Sequence, residues 1–306
     1  MNRQVRIQKH SLAARKEARV AYLLLIPAIL GLTFITYLPL LGVFAISFFN
    51  WRGLAAPTYA GLANYVRLFT ADPYFLESIK VTIAFATMAV VGSMIYSLVV
   101  AMLLNRKIPA RGFFRAVFYL PYILPAVAVY LGWSWLYASD FGFFNYLLAA
   151  MGFTKVHFLN DSKLVLPSLA LISVWLSGNL IVIFLAGLQN VPRVYHEAAE
   201  IDGANWGQRF ANITLPCMSP IIFYNLLMSL VTNMQIVVPA LSLTEGGPGK
   251  SSMFMTYLMY RYAFRSGQLG YACAISFAFF VIIGIFTAIL FATSKNWIFY
   301  EGGDDK

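Results

Sequence analysis

Six stretches of this chain contain no charged residue, and each exceeds the ~20 residues an α-helix needs to cross a bilayer. They lie between Arg19 and Arg52, Lys80 and Arg106, Arg115 and Asp140, Lys163 and Arg193, Arg209 and Glu245, and Arg265 and Lys295. Lipid offers no hydrogen-bond partners, so segments of this length must satisfy their own backbone and are expected as helices. The fold class that follows is all-α: a polytopic membrane protein of about six transmembrane helices. The expected spans are 20–49, 79–104, 114–138, 164–188, 217–241 and 269–293. Composition agrees, with 60% hydrophobic and 11% charged residues, against roughly 25% charged in a soluble domain.

The 22 Lys+Arg against 12 Asp+Glu could suggest a nucleic-acid partner. Their placement argues against one, because they sit in short segments flanking apolar spans. With the N-terminus inside, the inner segments hold Arg3, Arg6, Lys9, Arg15, Lys16, Arg19, Arg106, Lys107, Arg111, Arg115, Arg193, Arg209, Lys295 and Lys306. The outer segments hold the other eight: Arg52, Arg67, Lys80, Lys155, Lys163, Lys250, Arg261 and Arg265. An even number of spans with both termini cytoplasmic fits this bias. Residues 1–19 read as a basic cytoplasmic arm, not a cleaved signal, because the apolar stretch after it is too long and lacks a cleavage site. Residues 20–294 form the membrane domain and 295–306 a cytoplasmic tail. Pro27 and Pro39 are placed to kink the first span, and the aromatic segment 141–163 reads as an interfacial helix.

Several chemistries are missing. Cys217 and Cys273 lie far apart and read as small buried hydrophobes; His10, His157 and His196 form no ligand cluster, so no metal is expected. No His, Asp or Glu set lies at one membrane depth, which argues against a membrane enzyme. Proton- or sodium-driven transporters place ionisable groups inside the bilayer, and none of the six stretches has one. Gly247-Pro-Gly249-Lys250-Ser251 looks like the end of a phosphate-cradling loop. That motif needs glycine where Thr244 stands, with a strand before and a helix after, so the stretch is read as a turn.

The polar segment 190–216 between the fourth and fifth spans is the most specific feature. Asn190 and Pro192 can open a helix, 193–202 favours helix, and Gly203 permits the left-handed turn that ends it. Val194, Ala198 and Ile201 fall on one stripe. Ala198 and Ala199 allow close approach by another surface, and Glu197 and Glu200 can meet basic groups on a partner. A second short helix through Trp206, Phe210 and Ile213 is expected to pack back toward the membrane before Pro216 starts the fifth span.

Glu197, Ala198, Ala199, Asp202, Gly203, Ala204, Gln208, Phe210, Ile213, Leu215 and Pro216 together resemble the cytoplasmic coupling loop of permease subunits of binding-protein-dependent ABC importers. Gly61-Leu-Ala-Asn64-Tyr65, Arg111-Gly-Phe-Phe-Arg115, Tyr119-Leu-Pro121, Gly246-Gly-Pro248 and Gly270-Tyr271 are similar to the carbohydrate-uptake, maltose-type branch. One departure is Glu245, where the family often has glycine. The resemblance implies the type I importer permease fold and a bacterial or archaeal cytoplasmic membrane. It further implies a homologous second permease, two cytoplasmic ATPase subunits and an extracytoplasmic sugar-binding protein. No cofactor is expected in this chain, since ATP and Mg would be held by the ATPase partners. The implied cargo is a di- or oligosaccharide, a polyol or a glycerol phosphate. A passive sugar uniporter or channel is the alternative, because it too would lack intramembrane charge.

An uncharged sugar needs amide, hydroxyl and aromatic groups on a helix face. Trp175 and Asn179, one turn apart in the fourth span, and Ser229 and Asn233 in the fifth, with Asn225 and Thr232 near them, are the expected cavity residues. The same groups could instead hydrogen-bond between helices.

Overall fold

The computed structural model describes residues 12–53 and 55–299. Most of residues 1–19 and of the tail 295–306 lie outside that range. Four helical stretches are long and apolar enough to cross a membrane: Glu17–Ile46, Phe75–Asn105, Trp206–Met234 and Leu269–Ser294. Two further helix pairs, in the places of expected spans, pass the same test together but are bent, so the described residues hold four to six candidate crossings.

The first span is α1 (Leu12–Gly31), a π-helical stretch Leu32–Tyr37 and α2 (Leu38–Ile46). Helix begins at Leu12, inside the stretch read as the arm, because 12–19 contains good helix formers and no breaker. The widened turn falls between Pro27 and Pro39, where the ladder has lost donors. Beyond the end of α2, β1 (Phe49–Asn50) and β2 (Thr58–Tyr59) form a two-residue antiparallel ladder beside α3 (Ala63–Thr70). The second span is α4 (Phe75–Asn105), capped by Asp72, whose Oδ1 accepts from the backbone N–H of Tyr74 (2.8 Å) and Phe75 (3.2 Å).

The straight third span expected over 114–138 is instead α5 (Arg111–Ile123) and α6 (Ala126–Leu136), bent by 99°. Leu124 precedes Pro125 and takes an extended ψ of 145°, because the proline ring disfavours helix at the residue before it. After the short helix α7 (Phe143–Ala150) comes a broken fourth span: α8 (Val165–Trp175) and α9 (Gly178–Asn190), bent by 49°. The Ser177 hydroxyl donates back to the Val174 carbonyl (2.6 Å) and meets the Ser97 hydroxyl of α4 at 2.9 Å. These side chains satisfy polar groups that the break frees.

After α10 (Arg193–Ile201), the fifth span starts earlier than Pro216. The short helix α11 (Trp206–Arg209), a π turn Phe210–Thr214 and α12 (Leu215–Met234) run as one 29-residue helix. Pro216 sits in the first turn of α12, where a missing N–H costs little. This span stops at Met234, not near 241. The region through 254 is turns and a π stretch Ala240–Thr244, then come α13 (Met255–Tyr260) and the sixth span, α14 (Leu269–Ser294). The Gly247 segment has neither the strand nor the helix of a phosphate loop.

The core has two clusters stacked along the helices. One includes Phe75, Phe85, Leu169, Ile172, Phe254 and Tyr257. Val100, Leu104, Ile181, Phe184, Leu185 and Met218 belong to the other. The break in the fourth span falls between them. At the end that holds β1 and α3, the Arg67 guanidinium lies 3.9 Å above the Tyr271 ring and donates to Gln268 Oε1 (2.8 Å). Burial first, and then Asp72, pushes the nearby Tyr262 hydroxyl up to about 12. Cys217 and Cys273 are half-buried and form no disulfide.

Candidate functional site

The elbow between α9 and α11 follows from local sequence. Val191 precedes Pro192, and both are extended, with ψ of 122° and 128°. Asn190 therefore ends α9 instead of capping α10, whose N-cap position is Pro192. At the other end, Gly203 has φ +79°. Its N–H reaches the Glu200 carbonyl (3.1 Å), and the Ala204 N–H reaches the Ala199 carbonyl (2.9 Å). That pair of bonds is a Schellman closure, which needs a left-handed residue at the position glycine holds.

Asn205 then opens α11 with a reciprocal cap. Its side chain accepts from the Gln208 N–H (3.0 Å), while Gln208 Oε1 accepts from the Asn205 N–H (2.8 Å). Sequence reading singled out Gln208 but not Asn205; the Asn-x-x-Gln spacing was the signal available. Trp206 and Phe210 stack with planes 3° apart and centroids 5.5 Å apart. Glu200 is paired with Arg209 inside the chain (3.1 Å), whereas Glu197 forms no ion pair among the described residues. Glu197, Ala198, Asp202 and Gly203 are exposed, and Ala199, Ala204 and Phe210 are half-buried. No residue of α10 is buried, and its apolar stripe faces outward, with Val194 68% and Ile201 87% exposed. Leu215 and Pro216 are half-buried at the base of α12.

Midway along the bundle, beside the break between α8 and α9, is a cavity of about 460 Å³. Asn179, Ser229 and Asn233 all line it, with Thr232. Trp175 does not: α8 ends there, so the one-turn spacing to Asn179 does not hold across the break, and its ring packs edge-on against Trp133 at 5.6 Å. Asn225 is fully buried, with Nδ2 3.4 Å from the Leu180 carbonyl, which is the interhelical role. Ser93, Tyr122, Ser173, Ser177 and Gln235 also line the cavity and were not singled out from sequence. Gln235 had a signal, a second amide two residues after Asn233; serines in membrane helices are too common to carry one. Asn233 donates to the Ser229 carbonyl (2.8 Å) and lies 3.2 Å from its hydroxyl, so its nitrogen is turned along its own helix. No charged residue lines the cavity. Such a lining can hydrogen-bond a neutral polar molecule, but it offers no counter-charge to an ionic one.

Comparison with known proteins agrees with this architecture. Residues 93–299 match the family described as binding-protein-dependent transport system inner membrane component. The chain is 36% identical over 301 residues to the probable ABC transporter permease protein YesP of Bacillus subtilis, covering 97% of each. It is 35% identical over 282 residues to MsmF, a multiple sugar-binding transport system permease of Streptococcus mutans, covering 90% of this chain and 94% of that one. The fold also resembles the solved bacterial alginate ABC transporter bound to a periplasmic protein carrying an alginate pentasaccharide: TM-score 0.79 at 20% identity, over 94% of this chain and 98% of that one. Together the helical architecture, the matched segment and these near full-length likenesses establish that the chain belongs to the family of binding-protein-dependent transport system inner membrane components and is a multi-pass membrane permease.

Proposed function

We propose that this chain is a permease subunit of an ATP-driven importer for a neutral sugar, a di- or oligosaccharide. In this reading α10 seats in a cytoplasmic ATPase, a second permease completes the path, and an extracytoplasmic sugar-binding protein delivers cargo. Both chain termini then face the cytoplasm. The observation that carries it is the continuity of Trp206–Met234: one helix begins at the exposed elbow and ends among the cavity residues. An element with no buried residue, ended by its own Schellman turn and followed at once by the capped start of α11, is built to present a fixed surface to another protein. The sugar assignment draws on the names of relatives such as MsmF and on the uncharged lining. That lining disfavours a glycerol phosphate, which would need a buried counter-charge.

The ATPase subunits would hold ATP and Mg, leaving this chain without a nucleotide or a reaction to catalyse. Glu197→Lys reverses the charge of the exposed elbow, and Gly203→Asp strains the Schellman turn. Both variants are expected to insert and purify normally, lose the stoichiometrically co-purifying ATPase, and abolish uptake of radiolabelled sugar in vesicles. Normal uptake without any bound ATPase would instead establish the passive uniporter.

A further inference from the structure

Beside the elbow, at the same end of the bundle, lies a second cavity of about 680 Å³ that shares no lining residue with the one around Asn179 and Asn233. Four cationic side chains line it, Lys107, Arg111, Arg115 and Arg193, together with His196, and no carboxylate does among the described residues. Gln189 pins the two arginines that project from the first turns of α5. With its amide oriented to satisfy the donors, its oxygen accepts from Arg115 Nη2 (3.0 Å) and Arg111 Nη2 (2.9 Å). The Nε–H groups of both arginines are shut off from solvent and find no acceptor among the described residues. Buried donors without acceptors on a charged group are costly and rare. Guanidinium pairs held in fixed orientation match a phosphate, which accepts from several N–H donors at once.

The location narrows the source of that phosphate. Arg111 and Arg115 sit where α5 enters its apolar stretch, and Phe113 and Val117 on the same helix are 66% and 46% exposed. Phe113 and Val117 lie on the face of α5 away from the arginines, but Phe114 borders the arginine face and is 41% exposed. Cations in a pocket with an apolar flank fit a molecule with an anionic head and hydrocarbon tails. We propose that this cavity binds the phosphate of an anionic phospholipid headgroup. Its assignment to the cytoplasmic leaflet rests on the orientation given under Proposed function; binding itself does not.

The test uses the purified chain in mixed detergent–lipid micelles, with retained lipid read by native mass spectrometry. Phosphatidylglycerol should be retained in preference to phosphatidylcholine. The double variant Arg111→Gln/Arg115→Gln should lower its retention about tenfold or more, since each cation near a membrane surface contributes about fivefold. The thermal midpoint in phosphatidylcholine alone serves as the control for folding. Should that variant fail to fold, the exposed pair Lys107→Gln/Arg193→Gln tests the same field and should lower retention by a smaller factor. Equal retention of both lipids, or of phosphatidylglycerol by wild type and variants, overturns the site. Displacement of the lipid by millimolar inorganic phosphate overturns the headgroup assignment in favour of a soluble phosphate. Neither outcome touches ATPase co-purification, so failure here and failure of the importer reading are distinguishable.

Discussion

Gly270 has no room for a side chain. A Cβ there would overlap the Phe49 carbonyl oxygen and stand 3.0 Å from its carbon and 3.1 Å from the Trp51 nitrogen, because the Gly270 N–H bonds the Trp51 carbonyl at 3.1 Å. Gly270→Ala should therefore destabilise by about 2–3 kcal/mol through overpacking and lower the thermal midpoint by several degrees; an unchanged midpoint would show that the ladder of β1 and β2 can yield. Glu245 is the opposite case. It holds a left-handed backbone (φ 47°), a conformation that favours glycine, at the position read from sequence as a departure from the family's pattern, and pairs with Arg265 at 3.5 Å across an exposed surface. Sequence exposed the departure but not its conformation. Asn233 was legible as an amide in an apolar span, and Asn233→Ala should weaken sugar uptake while leaving yield and assembly unchanged. Trp175 shows the limit of such reading, since counting one turn onward assumes a helix that in fact stops at that residue.

At the scale of elements, charge-free length located the spans but not where they bend. Leu124-Pro125 carried a readable signal, because a residue before proline avoids the helical region. Ser177-Gly178 carried a weaker one, and the break there depends on a contact that is distant in sequence. A Cβ at Gly178 would lie 2.7 Å from the Phe118 carbonyl oxygen and 3.0 Å from the Tyr119 Cα, so α9 and α5 meet backbone to backbone. Gly178→Val should push these helices apart, reducing both thermal stability and uptake. Gly132→Ala, with open space around it in α6, should change neither. Equal behaviour of the two variants would remove the close approach as the reason for glycine. The early start of the fifth span was hidden because 206–214 read as a separate short helix ahead of Pro216, while helix continuity is set by caps and a π turn.

For the molecule as a whole, the charge-free stretches and flanking cations led to an expectation of about six crossings and a direction; the described residues hold four to six candidate crossings, the upper number if each bent pair is one span. The direction is testable with thiols. In a chain with Cys217 and Cys273 replaced by serine, Ile201→Cys should react with a membrane-impermeant maleimide only in inside-out vesicles. Tyr146→Cys on α7, 72% exposed, should react only in intact cells, and the reverse pattern would invert the membrane topology. What no single chain encodes is what lies against the first span, whose most apolar window has none of its residues buried; contacts of that kind belong to the assembly and its lipids. The 29 residues from Trp206 to Met234 make a rod of about 43 Å. Rocking such a rod by about 10° around its centre swings each tip by ~4 Å, in opposite senses. Under the proposed function, a push at Trp206 and a shift of Asn233 are then one movement, and no chain of intermediate signals is required between motor and cargo.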